Sequence, residues 1–120
     1  MSLKSCYDAL GGNYEEARAR LMSERIMQKF VLKFLNEGSY DLLMSALEAK
    51  DGEAAFRAAH TLKGVCLNLS FDKLLHSVEP LCEALRHGWS DEAPALAKAV
   101  AEDYEQTVAA VRALQAEVEG

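Results

Sequence analysis

One short stretch, Ala59-His60-Thr61-Leu62-Lys63-Gly64, combines residue types suited to carrying an anionic group. An imidazole is a nucleophile that forms covalent intermediates, and an ammonium group one helical turn away is a charge-assisted partner for phosphoryl oxygens. Residues 53–69 on a wheel at about 100° per residue place Ala55, Ala59, Leu62, Cys66 and Leu69 on one narrow face that must meet the core. His60 then falls roughly 140° from the centre of that face, Lys63 roughly 80°, Leu67 roughly 120° and Gly64 roughly 180°. His60 is therefore expected to be solvent accessible in mid-helix. Alone, such a histidine is an ordinary polar surface residue. Its neighbours argue for more, because a glycine inside a helix costs about 1 kcal/mol relative to alanine and close approach by another macromolecule is a reason for one.

The elements that must position this helix follow from caps and periodicity. Asn13 caps a short helix, YEEARARLM, after a lead-in segment over residues 1–12. Ser23 opens SERIMQKFVLKFL, whose stripe reads as Ile26, Phe30, Leu32 or Val31, and Phe34, with Gly38 as its stop. Ser39 is expected to cap the next helix, with Leu42, Leu43, Ala46 and Leu47 inward, and Asp51-Gly52 makes the following turn. The His60 helix, from about Glu53 to Leu69, and the next, from about Phe71 to His87, form an antiparallel hairpin, with a bend expected at Pro80. Ser90 caps a last and longest helix that carries an early Pro94 and ends near Val118.

A chain of 120 residues that is 50% hydrophobic builds one core, and two prolines, seven glycines and abundant Ala and Leu make it all-α. The net charge of −6 disfavours nucleic acid and anionic lipid, and no apolar run spans a bilayer or forms a signal peptide, so a cytoplasmic location without membrane contact is expected. Cys6, Cys66 and Cys82 are too few and too scattered for a disulfide framework or zinc knuckle. Phe30, Phe34 and Phe56 read as core or rim, Trp89 as a cover for the bundle end, and Glu48, Glu53 and Glu83 as solvated face.

The run His60-Thr61-Leu62-Lys63-Gly64 resembles the H-x-L-K-G signature of the histidine phosphotransfer (HPt) domain family. The likeness extends over roughly residues 23–118, including the hairpin and the run Leu81 to Leu85. It implies an antiparallel, up-and-down four-helix bundle over 23–118, preceded by lead-in helices in 1–22, as one stand-alone domain over 1–120. It further implies that His60 is phosphorylated, that Lys63 stabilises the phosphohistidine and that Gly64 leaves room for a docking receiver domain. Leu67 and Phe56 lie on the same flank and are expected to form the apolar part of that contact. The implied partners are response-regulator receiver domains and a sensor or hybrid histidine kinase, with the magnesium ion on the receiver and no cofactor on this chain, which is expected to be a monomer. No P-loop or kinase glycine-rich loop occurs, so the expected role is a phosphoryl carrier and not an enzyme. Leu67 and Ser70 depart from the small residue and the glycine usual at these positions, and Ser70 is read as an N-cap for the next helix.

Two rivals make distinct demands. A di-iron bundle needs Glu-x-x-His pairs, but Arg57, Lys73 and Ala84 stand three residues before the histidines. A degenerate HPt scaffold would bind receivers without accepting a phosphoryl group.

Overall fold

Short polar side chains open most helices of the computed structural model, which describes residues 1–120. Ser2 and Ser5 form a reciprocal capping box at the head of α1 (Leu3–Leu10). Asn13 accepts from the Glu16 amide at 3.0 Å ahead of α2 (Tyr14–Leu21), and Ser23 from the Ile26 amide at 3.1 Å ahead of α3 (Glu24–Lys33). A 3-10 turn, Phe34–Asn36, leads into α4 (Ser39–Glu48). Asp51 accepts from the Ala54 amide at 3.1 Å and starts α5 (Gly52–Leu69). The chain then forms α6 (Asp72–Ala84) and the 27-residue α7 (Ala93–Glu119).

The all-α architecture read from composition is the one observed, and no helix is long and apolar enough to cross a membrane. α5 packs between α4 and α6, α6 also packs on α7, and α7 in turn receives α1 and α3. The predicted inward face of α5 is buried throughout, with Gly52 and Ala58 joining it. Gly52 has no alternative, since a Cβ there would stand 2.2 Å from the backbone nitrogen of Trp89. α1 contributes more than a lead-in. Leu3, Cys6, Tyr7 and Leu10 are buried, and Tyr7 donates its hydroxyl to the Leu69 carbonyl at 2.8 Å while packing edge-on against Phe71.

Several expectations are corrected. The buried stripe of α3 is Met27, Val31 and the following Phe34, while Ile26 and Phe30 are exposed; two adjacent stripes are both apolar, and packing against α7 selects one. Gly38, not Ser39, stands at the N-cap of α4; Ser39 is a buried first-turn residue bonded to Glu37, and Leu42 is 66% exposed. α6 begins at Asp72, ends at Ala84 and runs through Pro80 unbroken; Pro80 and His76 lie on its exposed side, where water can satisfy the carbonyl that loses its amide partner. Ser90 sits in the turn before α7, accepting from the Glu92 amide, and Glu92 occupies the N-cap.

Ser70 is no N-cap either. It ends α5 in the left-handed region, at φ 55°, where a glycine would be unstrained, and Phe71 precedes α6. Its hydroxyl donates to Glu16 at 2.7 Å and accepts from Arg20 at 2.9 Å. The Arg20 guanidinium also donates to the carbonyls of Leu67 and Asn68, at 2.8 and 3.1 Å, and the Asn13 amide donates to the Ser70 carbonyl at 2.9 Å. With Tyr7 on Leu69, α1, α2 and its cap Asn13 thus bond four successive carbonyls at the C-terminus of α5, of which Leu67 also accepts the Ser70 amide at 3.4 Å.

Candidate functional site

α5 displays His60 because Ala59, Leu62 and Cys66 occupy the buried side of the same turns, leaving the imidazole exposed near the middle of an 18-residue helix. Phe56, one turn earlier, stacks on that imidazole with ring centroids 5.8 Å apart and planes inclined by 25°. The Arg86 guanidinium, from the turn after α6, lies over the Phe56 ring at 5.6 Å. Arg86, Phe56 and His60 therefore form a continuous stack that limits the rotamers of the imidazole. Thr61 turns its hydroxyl back to the Arg57 carbonyl, at 3.0 Å.

Lys63 projects along the seam between α5 and α6, where its side chain is 29% exposed and Nζ lies 4.0 Å from Oε2 of Glu79. Gly64 is open, as a Cβ there would meet nothing within 4 Å. Leu67 is 48% exposed on the same helix. The five residues singled out from sequence thus lie on the outward side of one helix: three carry exposed or open surface, and Phe56 and Lys63 are half-buried at the α6 seam. His76 and His87 are also exposed, but both belong to α6 or the turn after it.

Glu79 and Arg86 were not legible as site residues, because their proximity to Lys63 and Phe56 depends on how α6 docks. Glu83, read as solvated face, is exposed but is bonded by Arg86 at 3.0 Å, a hydrogen bond that holds its carboxyl below the usual range. Cys82 lies under this edge, 2% exposed; burial pushes its thiol up, against the opposing influence of Lys63 and Arg86. No set of three or more His, Cys, Asp or Glu side chains converges on one point.

The family model for the Hpt domain matches residues 32–117, well over half the chain and including the whole of α5 and α6. The chain belongs to the Hpt domain family. That membership supports a histidine phosphotransfer role in phosphorelays, in a carrier family that works with receiver domains and kinases. No curated protein and no solved structure shows a significant match to the chain.

Proposed function

We propose that His60 accepts a phosphoryl group from the aspartyl phosphate of a receiver domain, or from a histidine kinase system, and passes it to a further receiver. The observation that carries this reading is an exposed imidazole, held by Phe56 in mid-helix, with a cation at i+3 and open space at i+4. In the neutral ring one nitrogen has a free lone pair. That lone pair attacks phosphorus, an N–P bond forms, the P–O bond to the aspartyl group breaks, and the carboxylate leaves with the electron pair. Lys63 supplies charge for the phosphoryl oxygens, and Gly64 lets the donor's backbone approach without meeting a side chain. Leu67 and Phe56 supply the apolar rim of the docking surface. The aspartate and its magnesium ion belong to the receiver, so this chain needs neither a nucleotide site nor a resident metal.

The test is covalent. Incubation with a phosphorylated receiver domain, or with phosphoramidate as a small donor, is expected to give an acid-labile, base-stable phosphoprotein. His60→Gln should abolish the label while leaving helicity and melting nearly unchanged, because an exposed imidazole contributes little packing. Binding of receivers without any such label would favour a degenerate scaffold, and label retained in the variant would move the site to His76 or His87.

A further inference from the structure

The cation expected to serve the phosphoryl group already has a partner. Lys63 Nζ stands 4.0 Å from Oε2 of Glu79, across the α5–α6 seam. The other ionisable groups nearby are His76, Cys82 and Glu83 on α6 and Arg86 and His87 in the turn after it. Burial keeps the Cys82 thiol protonated, and Glu83 is engaged by Arg86 through two contacts of 3.0 Å. Glu79 is left as the carboxylate that holds Lys63.

A phosphoryl dianion on His60, one turn before Lys63 on the same helix, would compete with Glu79 for that single ammonium group. We propose that Glu79 is a positioning residue that opposes capture of Lys63 by the phosphohistidine and so makes His60 a better phosphoryl donor. This rests on His60 being the phosphorylated residue. In onward transfer the N–P bond breaks, its electron pair returns to the imidazole nitrogen, and a new P–O bond forms to the acceptor carboxylate. Glu79 takes no part in those bond changes. It acts because departure of the dianion returns Lys63 to an existing ion pair, which favours the unphosphorylated state. The carrier is then tuned toward release.

The experiment labels the full chain with phosphoramidate and follows the phosphohistidine by 31P NMR as a function of pH, together with its rate of hydrolysis. In Glu79→Gln the resonance should titrate at a lower pH than in the unaltered chain, since an uncontested Lys63 makes the phosphoryl group lose its last proton more readily. The phosphorylated form should also persist about twofold to fivefold longer, the scale expected for a half-exposed ion pair. Both effects should vanish when Glu79→Gln is added to Lys63→Ala. Glu79→Asp, which keeps the charge but withdraws it by one methylene, should shift both readings in the same direction and by less, and it serves if the Gln variant fails to fold. An unchanged titration in both variants, or an equal shift in the absence of Lys63, overturns the proposal. Absence of any label on His60 in the unaltered chain would instead remove the phosphotransfer reading, and this inference with it.

Discussion

At the scale of residues, the proposed phosphotransfer would depend on what stands one turn either side of His60. Lys63→Ala should leave the fold intact and shorten the life of the phosphorylated form or slow transfer. One charge-assisted contact is worth at most about 1.5–3 kcal/mol, and competition from Glu79 with partial exposure brings the net value to the low end. Identical hydrolysis and transfer rates in the variant would make Lys63 a solubilising residue only. Variants at Gly64 would separate docking from chemistry. Because a Cβ there meets nothing, Gly64→Ala should raise stability by up to about 1 kcal/mol, read from urea unfolding. Gly64→Gln should fold as well, yet transfer from a phosphorylated receiver should fall sharply while slow labelling by phosphoramidate survives. Equal loss of both reactions would mean that Gly64 acts on the imidazole itself, and no loss of either would mean that the receiver docks elsewhere.

At the scale of elements, α5 is held at both ends by groups outside it: Asp51 at its start, and α1 and α2 at its finish. Arg20→Ala should cost about 1–2 kcal/mol, because it uncovers the Asn68 carbonyl, leaves Leu67 with only the long Ser70 amide bond and removes one partner of Ser70. Melting of the variant checks this, and an unchanged midpoint would show that water replaces the guanidinium at no cost. The capping of α5 also marks what a sequence makes legible. Its buried face and the His60–Lys63–Gly64 surface are periodic within one helix, so local spacing was enough to orient them. α3 offered two apolar stripes one residue apart, Ile26–Phe30 and Met27–Val31, and only docking on its neighbours chose the second. Ser39, Ser70 and Ser90 all have the chemistry of an N-cap, but Glu37, Glu16 with Arg20, and the turn before α7 claim them instead. Glu79 and Arg86 sit across the seam from α5, where no spacing rule reaches.

At the scale of the whole molecule, the buried thiols should make stability fall at alkaline pH. Burial pushes Cys6 up to about 11 and Cys66 up to about 12, from an ordinary value of 9.0, and Tyr7 is raised by the same cause. Between the ordinary and the raised values the unfolded chain holds fewer protons than the folded one, so unfolding free energy falls as pH rises; below about 9 the full contribution is present. The loss should not exceed roughly 1.4 kcal/mol per thiol per pH unit. Urea unfolding at pH 8, 10 and 11 should show the decline, and Cys66→Ala should be less stable at pH 8 yet lose less on going to 11. An unchanged slope would exclude that thiol as a source. The core that keeps these groups protonated is closed by α1 lying on α7: the Cys6 thiol donates to the Ala110 carbonyl, Gln106 donates to the Ala9 carbonyl, and the Met1 amine pairs with Glu117 at 3.1 Å. These contacts join residues about a hundred positions apart, so their loop-closure entropy must be met before they give any return. In kinetic terms, the α5–α6 hairpin can form from local contacts, whereas α1 docks across nearly the whole chain and should do so after the rate-limiting step. Truncating Leu3 or Leu10 to Ala should therefore speed unfolding and leave the refolding rate nearly unchanged, while Leu62→Ala should slow refolding, a contrast that chevron plots of the three variants would display or refute.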